Sequence, residues 1–330
     1  MNRKVTLLYI SLACVLSMQA QTRQQMGGVY YAYPEGPSAK TGTFGTATYV
    51  ISDSLGVPQG FAPFYISHYG RHGSRWMPKD DRYVWICKHF EDESNLTPLG
   101  LQVKGMLQRV WENAKGNGGK LSKLGALQHQ GIAHRMFERY PQIFAAGNAV
   151  KARSSVVDRC AKSMLAFTSE LHTLQPGLNL DVKTDSADMA WIAYVSPEVK
   201  ALENRTHVQA QVSPRRFLLQ LFKDVSKVDE PLKLMTEMHT VASSIQDVGL
   251  NFSSYPQDIE DGLNALFTDD EFRAIYDANN LRMTINNGTV ATNEDIPARS
   301  AISLWQNIEA EADRALRSVK SSATLRFGHD

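Results

Sequence analysis

The 330-residue chain is short of several features that would narrow its chemistry at once. It has three cysteines and no Cys-x-x-Cys pair, which argues against a thiolate zinc site. Its formal net charge is +1, so no general polyanion-binding surface is implied, nucleic acid is not an expected partner, and any positive site must be local. The one sustained apolar run, Val5–Leu16, is too short to span a bilayer. There is no internal repeat and no low-complexity segment. Lys115–Ser122 (KGNGGKLS) contains a glycine-lysine pair. It lacks the first glycine of a P-loop and the Ser or Thr directly after lysine.

What remains is an ordinary globular composition, 43% hydrophobic and 21% charged, enough for one large domain or two smaller ones. Residues 1–20 read as a signal peptide: Arg3 and Lys4, then Val5–Leu16, then a small-residue ending at Ala20. The expected product is periplasmic or secreted, with no stable membrane insertion after cleavage. Cys14 raises a lipoprotein alternative, against which Ser11 stands where an aliphatic residue is usual. Cys87 and Cys160 could pair in an oxidising compartment or remain two buried thiols; both readings stay open. The Asn-x-Ser/Thr sequons at Asn204, Asn251 and Asn287 matter only in a glycosylating host.

Residues 21–60 read as a loop-rich lead-in. A buried strand is expected over 61–69 (FAPFYISHY), with helices over 80–93, 96–114 and 126–140. A strand over 149–153 leads into a helix over 155–172 capped by Ser154, and 178–183 alternates like a strand. Strands alternating with helices predict an α/β fold with a largely parallel sheet. From 186 to 319 the character is helical, with a capping box at Thr268–Glu271 and one long amphipathic helix over 298–320. The apolar stripes on 302–316 and 216–222 are expected in the core. Residues 323–327 (ATLRF) return to strand character before Gly328-His329-Asp330. The layout is an α/β domain over 61–185 and 320–330, interrupted by a helical subdomain over 186–319.

Residues 69–76 (YGRHGSRW) crowd Arg71, His72 and Arg75 between glycines at the end of the first strand. In open parallel sheets, ligands bind beyond the carboxyl ends of strands. Glycine lets the backbone approach an anion, arginine presents a fixed fork to phosphate oxygens, and a cationic setting keeps the histidine neutral and nucleophilic. The bland alternative is a solvated basic surface. A metal pair of His68 and His72 needs both on one helical face, which Gly70 and Gly73 oppose.

Arg71-His72-Gly73-x-Arg75 after a strand resembles the signature of the histidine phosphatase superfamily. The chain as a whole is similar to its second branch, the histidine acid phosphatases, phytases and multiple inositol-polyphosphate phosphatases. Leu121-Ser122-Lys123-Leu124-Gly125 resembles the family's L-T-x-x-G, Arg153–Arg159 (RSSVVDR) its R-S-x-x-x-D-R, and His329-Asp330 its C-terminal His-Asp, all in family order. The resemblance implies a phosphoglycerate-mutase-like α/β fold and a secreted phosphomonoesterase. It would act, without metal or cofactor, on phytate, inositol polyphosphates or other small phosphate esters. His72 would be the nucleophile and Asp330 the proton donor, with Arg71, Arg75, Arg153 and His329 binding the phosphoryl group. Asp158 and Arg159 are expected to form a structural ion pair within the helix. An acid at Asp330 would favour mildly acidic pH. Lys79, Arg82 and Lys88 could widen the positive field or form a solvated helix face. The family continues past His-Asp while this sequence ends on it, so a truncated form is expected. A non-catalytic phosphate-binding or inactive homologue is the competing reading, and a phosphoglycerate mutase fits poorly with a signal peptide.

Overall fold

The computed structural model describes Arg23, Met26, Thr41–Phe44, Ala47–Val50 and residues 59–318 and 320–329. The signal-peptide reading, most of the lead-in and Asp330 lie outside the described residues. Within the lead-in, β1 (Thr41–Phe44) pairs antiparallel with β2 (Ala47–Val50), so that stretch is not all loop.

The main sheet is built from β3 (Tyr65–Arg71), β4 (Ala149–Ser154), β5 (Asn179–Thr184) and β6 (Ser322–Gly328). All pairings are parallel, in the order β3-β6-β4-β5. β6 comes last in sequence and lies between β3 and β4, so its six residues from Ala323 to Gly328 are all buried. Its register sets Gly328 beside Arg71 and Phe327 beside Ser154. The residues that follow three strands, His72, Ser155 and His329, therefore emerge together at one edge of the sheet. Two backbone bonds seal that edge, His72 N–H to Gly328 O at 3.1 Å and Ser155 N–H to Phe327 O at 3.0 Å.

The helices are α1 (Asp81–Lys88), α2 (Pro98–Ala114), α3 (Lys123–Arg139), α4 (Asp158–Leu174), α5 (Met189–Ile192) and α6 (Pro197–Arg205). They continue as α7 (Arg215–Leu219), α8 (Pro231–Ser243), α9 (Ile245–Gly249), α10 (Gln257–Asn264), α11 (Asp269–Asn287), α12 (Ile296–Ser300) and α13 (Ile302–Leu316). Strand side chains alternate between the two faces of the sheet. On one face Val150, Ala152, Leu325 and Phe327 pack with Ala133 of α3 and Met164, Phe167 and Leu171 of α4. On the other, the buried Arg326 bonds Asn307 of α13 and Ser67, and its guanidinium lies over Trp191 of α5. A second apolar cluster joins α1 and α2 to Phe217, Phe222, Met235, Phe267 and Phe272 of the helical middle.

Several boundaries differ from the sequence reading. α4 starts at Asp158 and its first residue follows Val157, which makes no side-chain cap. Ser154 is not the cap: it is the last residue of β4, and its hydroxyl bonds Thr184 Oγ1 at 2.7 Å. The helix expected over 298–320 is two, α12 and α13, and its stripe is not core, since Trp305 is 60% exposed. The capping box of Thr268 and Glu271 is present, and Phe217 and Phe222 are buried as expected. Among the described residues, no helix is long and apolar enough to cross a membrane.

Candidate active site

The loop after β3 is fixed on several sides. Ser122 caps α3 by accepting from Gly125 N–H at 3.1 Å, and its hydroxyl donates to Ser74 O at 3.0 Å. Gln128 of α3 accepts from Ser74 N–H at 2.9 Å and donates to Ser74 Oγ at 3.1 Å. Ser163 of α4 accepts from Gly73 N–H at 3.0 Å and donates to Arg159 O at 2.7 Å. The two glycine backbones touch: a Cβ on Gly73 would lie 2.3 Å from Gly125 O. His129, also on α3, donates to the Arg71 carbonyl. The Leu121–Gly125 motif is thus a clamp on the loop that carries His72.

His72 is buried, at 8% exposure. Its Nδ1 lies 2.8 Å from Gly73 O. A carbonyl only accepts, so Nδ1 carries the proton and Nε2 keeps the lone pair. Burial is the largest force lowering its pKa, to about 3. The bond to Gly73 opposes the fall, and the charges of Arg71, Arg159 and Arg75 add to it. The imidazole is therefore neutral, with a free Nε2 lone pair, and is held among three guanidinium groups.

His329 faces His72 with ring centroids 5.6 Å apart. Its Nε2 lies 3.4 Å from Ser155 Oγ and 3.5 Å from Cys160 Sγ, and its backbone N–H donates to Tyr69 Oη at 3.3 Å. His329 and Tyr69 also line a cavity of about 310 Å³ whose other walls include Trp191, Tyr194, Asn286 and Leu304. Segments from the helical middle thus close over the sheet edge.

No protein-family model matches the chain. The chicken (Gallus gallus) multiple inositol polyphosphate phosphatase 1 is 23% identical over 212 residues, which is 62% of this chain and 46% of that protein. The chain spans about half the length of this curated relative. Among solved structures, the Bifidobacterium longum multiple inositol polyphosphate phosphatase in complex with inositol hexasulfate superposes with a TM-score of 0.60. Identity there is 15%, covering 84% of this chain and 74% of that one. The phytase from D. castellii gives a TM-score of 0.60 at 13% identity, covering 93% of this chain and 65% of that one. The fold is the one these phosphatases and this phytase share.

Of the residues expected at the site, the structure brings together His72, Arg71, Arg75 and His329. Arg75 also donates to Trp76 O at 2.8 Å. Asp330 lies outside the described residues. Arg153 is not brought to the imidazole. It follows Ala152 on β4 and so takes the opposite face, where it donates to Asp181 Oδ2 at 2.6 Å and lies 3.7 Å from Asp188 Oδ2. Arg159, expected to be structural, lies where its charge acts on His72, and its buried Nε has no hydrogen-bond partner. Asp158 pairs instead with Lys162, one helical turn on, at 2.8 Å. Adjacent helix positions do not face each other, whereas i and i+4 do.

Cys87 and Cys160 are both free thiols, so the pairing left open in the sequence does not form. Lys79 and Lys88 are exposed, while Arg82 is paired with Glu237 at 2.5 Å and adds no free charge to the site's rim. His68 packs its ring on Phe167 and Phe327, within the core. Gln128, Ser163 and Asp247 carry no sequence signal of their own. Arg159 did, being the last residue of the R-S-x-x-x-D-R segment.

Proposed function

We propose that the chain is a secreted phosphomonoesterase that works through a phosphohistidine at His72 and acts on phytate, other inositol polyphosphates or related phosphate monoesters. The observation that carries this reading is the neutral His72 imidazole, its Nε2 lone pair set among Arg71, Arg75 and Arg159. The names of the relatives support the same chemistry. Three guanidinium groups supply the positive charge that a phosphoryl transition state needs on its equatorial oxygens.

In the proposed reaction His72 Nε2 attacks phosphorus, the N–P bond forms, and the ester P–O bond breaks. The leaving alkoxide takes a proton, a role the family resemblance gives to Asp330. Water then attacks the phosphohistidine, breaking the N–P bond and releasing phosphate. His329, beside the imidazole, would donate to the same oxygens. No step calls for a metal or a cofactor.

Rapid quenching with ³²P-labelled phytate or an aryl phosphate should trap base-stable, acid-labile label on the wild-type chain. His72→Ala should carry none and release no phosphate. Substrate binding without transfer of label to His72 would sink the enzyme reading in favour of a phosphate-binding protein. The ratio of phosphate release from phytate and from the aryl ester then assigns the substrate class.

A further inference from the structure

Asp247 is the acidic side chain that the helical middle sends into this site. It sits on α9 and is 6% exposed. Ser74, inside the signature loop, uses its oxygen to accept from Gln128, which leaves its hydroxyl hydrogen for the Asp247 carboxyl. The other carboxyl oxygen, Oδ1, is buried and has no hydrogen-bond partner. The charges acting on the group are those of Arg75 and Arg71, two of the arginines assigned to the phosphoryl oxygens. The helices packed against α9 are α2, α3 and α8. On α2, Lys104 and Arg109 are paired with Glu93 and Asp258; on α3, Lys123 donates to Leu250 O and His129 is held neutral. On α8, Glu237 is paired with Arg82 and His239 is held neutral.

A carboxylate buried against two arginines competes with any anion meant for them. In the empty site its charge is balanced by the arginines. A dianion arriving beside it would create like charges in a poorly solvated pocket, where repulsion is strong. Protonation removes that conflict, and the oxygen without a partner is the one placed to take the proton. Burial has already moved the group towards protonation: its pKa is raised to about 7, with Ser74, Arg75 and Arg71 holding it from rising further.

We propose that Asp247 is a proton-coupled member of the phosphate site, taking a proton from solvent when a dianion binds and releasing it when the dianion leaves. The grip of the arginines on phosphate then tightens as pH falls. This rests on the reading of the loop as a phosphate site.

The test is calorimetric titration of the full chain with inorganic sulfate, which does not itself titrate between pH 6 and 9. Run at pH 8 in two buffers of different ionisation enthalpy, it should show uptake of about one proton per sulfate bound. The dissociation constant should rise roughly tenfold per pH unit above neutrality. Asp247→Asn should lose the uptake and hold a nearly constant affinity. Ser74→Ala removes the bond that favours the ionised form, so the onset of the pH dependence should move to higher pH. Sulfate binding without proton uptake, or with uptake unchanged in Asp247→Asn, overturns the role of Asp247 alone. Absence of sulfate binding overturns the phosphate-site reading beneath it.

Discussion

At the scale of single residues, two arginines six positions apart have opposite fates. Arg153 is at the end of a strand, the usual place for a ligand contact, yet the alternation of β4 turns it to the face where Asp181 and Asp188 neutralise it. Arg159 is in the first turn of α4, whose start packs on the end of β6 through Cys160 Sγ and Gly328 O at 3.3 Å. That placement directs its charge at His72. The two substitutions should therefore separate. Arg159→Ala should lower kcat by about 10²–10³, the usual loss for one charged donor to a transition state. Arg153→Ala should leave kcat within a few-fold and lower the melting temperature, because Asp188 loses its ion-pair partner and Asp181 keeps only Lys183. Equal losses of kcat in both variants would refute this division of roles.

At the scale of elements, the clamp on the signature loop is a contact of backbone with backbone. Gly125 admits no side chain: a Cβ there would lie 2.2 Å from Ser74 O. Gly125→Ala must push α3 away from the loop, and overpacking of this kind costs about 1–3 kcal/mol. The displaced loop carries His72, so kcat should fall together with the melting temperature; a variant with full activity would show that the contact does not position the nucleophile.

Strong local patterns made much of this scaffold readable in the chain. The strand character of ATLRF, the capping box at Thr268, and the glycines around His72 each follow from a short-range rule, whereas the cap at Ser122, which starts α3 at Lys123 rather than near 126, carries no such signal. Their assembly does not. That β6 lies between β3 and β4, and so sets His329 beside His72, depends on a pairing across more than 250 residues. The side of β4 to which Arg153 turns depends on which helices cover each face. Asp247 reaches Ser74 only because α9 packs on α2 and α3, a contact with no sequence pattern. The stripe on α13 is largely exposed although its period predicts a buried face, because an amphipathic period reveals a face without revealing what covers it.

At the scale of the whole molecule, the proposed chemistry in acid and stability in acid pull in opposite directions. His129 and His239 are buried, His68 is half-buried, and all three have pKa values lowered from 6.5 to about 4. Burial is the main cause in each. In the unfolded chain they would bind protons at pH 6.5 and below, while in the folded chain they resist until about pH 4. Stability therefore falls as pH drops through that window, by roughly 3 kcal/mol for each histidine. Asp247 acts with the opposite sign. Its folded pKa is raised from 3.8 to about 7, so it contributes roughly 4 kcal/mol that is regained as pH falls from 7 towards 4. With His72, whose pKa is lowered to about 3, these histidines outweigh one aspartate, and their net effect is loss of stability on acidification. His239 offers the cleanest check. Neither ring nitrogen has a hydrogen-bond partner, and the ring sits against Phe267 and Phe272 in the helical core, far in sequence from the nucleophile. An apolar replacement there removes a proton acceptor without leaving a polar atom unsatisfied. His239→Leu should melt several degrees above wild type at pH 5 and show a smaller gain at pH 7.5. Melting curves that shift in parallel at the two pH values would mean that His239 does not carry this proton linkage.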